Sequence, residues 1–159
     1  MVTMVISATT ITKAQDTEYH GEINISGGLG FGDTPAYALE AHTIHGICFS
    51  ECFSMGAGIG ATWNTNDMKS GTMMLPVFAD FKMYVPTAGD FDPYLLLDVG
   101  YTFELKNREV GGVLYAAGIG FKASVFNFSI CYNYLQQIST PRYSRLYPNA
   151  IKLRIGVAF

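Results

Sequence analysis

Three histidines, three cysteines and two glycine-rich runs are the residues of this 159-residue chain whose types invite chemistry. His42 and His45 are three apart, a spacing that sends them to opposite faces of a strand, so they are poorly placed to chelate one metal ion. His20 stands alone, near the start of a strand-like segment, and no Ser–His–acid constellation is legible from spacing. Cys48 and Cys52 flank Phe49-Ser50-Glu51 and are close enough to pair in an oxidising compartment, leaving Cys131 over. No CxxC pair is present, so a metal centre is not expected. The runs Gly27-Gly28-Leu29-Gly30-Phe31-Gly32 and Gly56-Ala57-Gly58-Ile59-Gly60 resemble phosphate loops only superficially. Neither leads into a helix, and neither carries the Lys-Ser/Thr pair or the downstream acid that nucleotide sites use. No cofactor is implied.

The ionisable residues are more telling. Glu22, Asp80, Lys82, Asp98, Lys122, Lys152 and Arg154 all occupy the polar phase of segments that alternate with a period of two. The clearest is Ile151-Lys152-Leu153-Arg154-Ile155-Gly156-Val157-Ala158-Phe159, apolar at odd positions and polar or small at even ones. Seven further segments repeat it, giving eight expected strands at 20–32, 38–49, 51–65, 72–86, 93–105, 111–123, 124–136 and 149–159. Most exceed the usual ~5–6 residues of globular strands and suffice to cross a bilayer at a tilt. Pro76 makes the start of the fourth segment irregular, because a closed sheet has no free edge for it.

Composition points the same way. The chain is 49% hydrophobic and 14% aromatic but only 14% charged, against about 25% charged in ordinary soluble domains. No apolar run is long enough for a spanning helix. A net charge of −3 with no basic stripe argues against nucleic acid as a partner.

One face of the expected sheet is aromatic at both ends and aliphatic between. Phe31, Trp63, Tyr101, Phe103, Tyr115, Tyr132 and Tyr134 gather at one end; Phe53, Phe81, Phe121, Phe126, Phe128 and Phe159 gather at the other. Lipid interfaces select such belts. The opposite face holds glycines, Asn, Ser, Thr, Cys52, Cys131 and the seven ionisable residues, too small and too sparsely charged for a water-facing exterior. It suits a narrow lumen in which buried charges pair. The sequence therefore predicts an all-β, eight-stranded antiparallel up-and-down transmembrane β-barrel over 15–159. Residues 1–14 read as a signal-peptide remnant: an apolar stretch with small residues before Gln15, though without a basic start. Asp33–Tyr37, Asn66–Gly71, Lys106–Val110 and Gln137–Pro148 become outer loops, and the shorter turns periplasmic ones.

The chain resembles the small outer-membrane β-barrel family, the OmpA-, OmpX- and OmpW-like proteins of Gram-negative bacteria. The resemblance rests on Ile25–Phe31, Phe53–Gly60, Leu75–Phe81, Pro93–Tyr101 and the terminal Phe159. It implies export through the periplasm to the outer membrane and contact with outer-membrane lipid. It also implies periplasmic chaperones in transit and a barrel-assembly machinery that reads Phe159. The resemblance supplies no catalytic residue. Some barrel enzymes act on lipid A with a His–Ser pair on the outer wall, which makes His45 and Thr43 the residues to inspect. The leading expectation is a structural or surface-interaction role without catalysis. The alternatives are a narrow, porin-like pore for small or hydrophobic solutes and a lipid A-modifying enzyme.

Overall fold

Alternation becomes geometry in a computed structural model of the chain, which describes residues 17–31, 36–49, 52–67, 70–89, 91–105, 111–137 and 149–159. Eight strands form: β1 (Thr17–Phe31), β2 (Ala36–Phe49), β3 (Phe53–Asp67), β4 (Ser70–Tyr84), β5 (Phe91–Glu104), β6 (Gly111–Ala123), β7 (Phe126–Gln137) and β8 (Asn149–Ala158). Each pairs antiparallel with its chain neighbours, and β1 pairs with β8 to close the barrel. The boundaries fall within a few residues of those expected. The expected remnant at 1–14 and most of the four expected outer loops lie outside the described residues.

Because successive side chains on a strand point to opposite faces, one phase of each strand lines the lumen and the other the outer wall. On β1, Glu22, Asn24 and Ser26 are buried while Ile23, Ile25 and Leu29 are exposed. On β8, Lys152 and Arg154 are buried between exposed Ile151, Leu153 and Ile155. The wall is aliphatic at mid-height, through residues such as Ile59, Val77, Leu97, Ile119 and Ile130. Toward the end that holds the three short turns, here called the turn end, Phe91, Phe121 and Phe128 stack in a row with centroids 4.8 and 5.1 Å apart. At the opposite, loop end, Tyr101 and Phe103 pack at 4.7 Å, and the Trp63 indole lies across Gly71 of β4, filling the space a side chain there would need.

Pro76 sits in the middle of β4. It keeps its register with Thr102 of β5, while the β3–β4 ladder lapses across Gly60–Ala61 and Leu75–Pro76. A missing N–H toward β3 accounts for the lapse. The β6–β7 connection is the two-residue turn Ser124–Val125, with Ser124 at φ 56°, the left-handed conformation that tight hairpins require.

Cys52 departs from the expected lumen face. It belongs to the β2–β3 turn and is exposed. The register sets Cys48 opposite Ser54, and no disulfide joins Cys48 to Cys52.

Candidate functional site

The interior of the barrel is the chain's concentration of polar chemistry. Lys82 of β4 reaches across the lumen to Glu22 of β1 (Nζ to Oε1, 2.8 Å) and along its own strand to Asp80 Oδ1 (3.0 Å). Arg154 of β8 spans to Asp98 of β5, Nη2 to Oδ2 at 2.6 Å. Lys152 donates to Glu40 of β2 at 2.6 Å, and Thr62 of β3 donates to the same Oε2 at 2.9 Å. Two histidines attach to this network. His20 Nε2 lies 2.7 Å from Glu22 Oε1, and His42 Nδ1 lies 2.9 Å from Glu40 Oε1. All of these side chains are nearly withdrawn from solvent; Glu22, Asp80 and Lys82 are at most 1% exposed.

Of the seven ionisable residues expected in the lumen, Glu22, Asp80, Lys82, Asp98, Lys152 and Arg154 come together there. Lys122 does not join them. It stands half-buried near the turn end, between Asp92 and Asn127 in register. Glu40, His20 and His42 enter the network unannounced. A signal for Glu40 existed: it has the opposite phase to outward Leu39 on β2. That strand also carries polar Thr43 and His45 on its outer phase, so polarity did not separate its faces. The cross-lumen partnership of Glu22 with Lys82 could not be read from strand order, because the strands are remote in sequence and meet only across the closed barrel.

Large inward side chains fit because glycines stand opposite them. A Cβ on Gly58 would strike the Phe78 ring, and one on Gly28 would lie 2.7 Å from Lys152 Cγ. Glycine in these runs thus makes room for neighbouring lumen groups. Above Glu40 and Lys152, toward the loop end, a cavity of about 60 Å³ remains, lined by Asn64, Met74, Leu114, Asn133 and Leu135 among others. That is room for a few water molecules, at about 10–15 Å³ each.

Among the described residues the outer wall carries a polar cluster. Near the turn end, the Tyr19 hydroxyl bonds His45 Nδ1, and His45 Nε2 lies 3.0 Å from Thr43 Oγ1. Thr43 Oγ1 also donates to the Glu22 carbonyl oxygen at 3.0 Å. Its one proton is therefore committed to the backbone, so toward His45 it accepts from Nε2–H, and Nδ1 accepts from Tyr19. A base poised to activate the Thr43 hydroxyl would need the reverse arrangement. The terminal ring of Phe159 stands at 6.4 Å from His45 and covers Gly21, while Phe159 and Gly21 exchange backbone hydrogen bonds. These contacts fasten the closing strand pair. The remaining belt residues expected from sequence lie on the outer phase of their strands: Phe31, Phe53, Tyr115, Phe126, Tyr132 and Tyr134 exposed, Phe81 and Tyr101 half-buried.

No family model matches the chain, and no curated protein sequence does either. Solved structures do match. Neisserial surface protein A superposes over 89% of this chain and 97% of its own, with a TM-score of 0.68 at 11% identity. A de novo designed transmembrane β-barrel covers 88% of this chain and 95% of its own, with a TM-score of 0.54 at 13% identity. The outer membrane enzyme PagL covers 87% and 98%, with a TM-score of 0.54 at 9% identity. At such identities the likeness concerns fold. The chain has the fold of the small outer-membrane barrels: a closed, antiparallel, eight-stranded barrel with an apolar wall and a polar lumen.

Proposed function

We propose that the chain is an integral protein of a Gram-negative outer membrane that acts as a structural and surface-interaction barrel, and neither conducts solutes nor catalyses a reaction. The observation that carries this reading is the filled lumen. Lys82, Arg154 and Lys152 each bridge different strands through buried ion pairs, two of them across the interior. An eight-stranded barrel is just wide enough for its own side chains, and here those side chains are tied to one another. A pore would need the bridges to part. The commitment of the Thr43 proton to backbone supports a non-catalytic wall. Interaction is then assigned to the loop end, whose connecting segments follow aromatic belt residues such as Phe31 and Phe103.

Refolded barrel in a planar lipid bilayer tests the reading. The expected record is a flat baseline. Discrete open levels that vanish when the protein is omitted would replace the scaffold with the pore. For the enzyme alternative, lipid A from cells overproducing the chain is expected to keep an unchanged mass spectrum.

A further inference from the structure

Asp80 and Asp98 are register partners on β4 and β5, and both side chains face the lumen at 1% and 2% exposure. Opposed residues in an antiparallel pair have Cβ atoms only about 4.5–5.5 Å apart, and like charges so placed repel. Each aspartate has one oxygen engaged: Asp80 Oδ1 by Lys82 and Asp98 Oδ2 by Arg154. Their other oxygens, Asp80 Oδ2 and Asp98 Oδ1, are buried and receive no hydrogen bond from any described residue. Both flanking register positions lack charge, Gly56 beside Asp80 and Ala116 beside Asp98.

The charge count of the ion-pair network points to the same place. Among the described residues, Glu22, Glu40, Asp80 and Asp98 are paired with three fixed cations, Lys82, Lys152 and Arg154. Neither histidine of the network lies within ion-pair distance of an aspartate: His20 reaches Glu22 and His42 reaches Glu40. Among the described residues no group of three His, Cys, Asp or Glu side chains is placed to hold a metal ion. The remaining neutralising species is a proton.

We propose that Asp80 and Asp98 form a proton-binding dyad. One is the carboxylic acid and donates to the carboxylate of the other, which places the two unengaged oxygens in a single hydrogen bond. The lumen network then holds three carboxylates against three cations. A buried charge left unpaired is strongly unfavourable, so one proton removes the repulsion and the imbalance together. The mid-lumen plug is thereby a site for a proton, distinct from the lysine and arginine bridges that seal it.

Infrared spectroscopy of the refolded barrel at neutral pH tests this, with heat-dependent gel mobility confirming that each variant is folded. The expected result is a buried carboxylic-acid carbonyl band in the parent protein. It should be lost in D80N, where the amide supplies the donor in place of the proton, and kept in D92N, which removes a turn-end carboxylate outside the network. D80N is also expected to unfold at no lower a denaturant concentration than the parent. Absence of the band in the parent overturns the proposal. So does its persistence in folded D80N, or its loss in folded D92N, which would put the acid at Asp92.

Discussion

Leu97 and Asp98 are chain neighbours on β5, yet opposite rules govern them. Leu97 is 45% exposed on the outer wall, between Phe81 of β4 and Ala117 of β6 in register. Asp98 is buried in the lumen and bound to Arg154 from the far side of the barrel. In a water-soluble barrel the exposed position would be the tolerant one and the buried position would want an apolar side chain. Here apolar atoms must face outward, and charge is sheltered within. The wall is held by matching a hydrocarbon solvent, the lumen by matching specific partners, and the two should fail differently when altered.

The largest effect is expected in the lumen. Lys82→Met removes the cation shared by Glu22 and Asp80 and leaves both carboxylates buried without it. Breaking one side of a buried pair typically costs about 3–5 kcal/mol, so urea unfolding in vesicles should shift by at least that much. Next comes the wall. Leu97→Arg places a charge at mid-height among aliphatic residues, where arginine on the lipid face of a barrel costs about 2–4 kcal/mol. The same substitution should be nearly harmless for the detergent-free solubility of a water-facing surface, which makes it a sharp discriminator. Smaller still is Gly58→Val. Its side chain meets the Phe78 ring, and overpacking of this kind costs about 1–3 kcal/mol, read as a lowered denaturation midpoint with an unchanged wall. If Lys82→Met and Leu97→Arg were both neutral, the contrast between wall and lumen would have no energetic content.

How much of this was legible in the sequence follows from the same contrast. The wall could be read because hydrocarbon is a uniform solvent: each outward residue from Ile23 to Phe159 answers to it independently, so parity alone sorts the strands. The inward phase was legible as a list, from Glu22 and Asn24 to Arg154. Its pairings were not. Which cation meets which carboxylate depends on where remote strands meet across the closed barrel, and a period of two carries no information about that. Lys82 therefore reaches Glu22 rather than staying with its neighbours on β5, and Glu40 takes Lys152 from an unremarked position on β2. Lys122 had the right phase but the wrong height. Whether Cys48 and Cys52 pair was left open by the sequence for a related reason: the turn carries Cys52 off the ladder, and the register aligns Cys48 with Ser54.

The central claim is that lipid wets the apolar wall, and the chain's single tryptophan can report on it without labelling. Trp63 lies on the outer phase of β3 in the loop-end belt, across Gly71. In vesicles containing lipids brominated along their acyl chains, its fluorescence is expected to be quenched, more strongly by bromines near the headgroup end than by those near the chain terminus. Emission characteristic of water, unaffected by bromine at any depth, in a barrel shown by circular dichroism to be folded, would contradict the account.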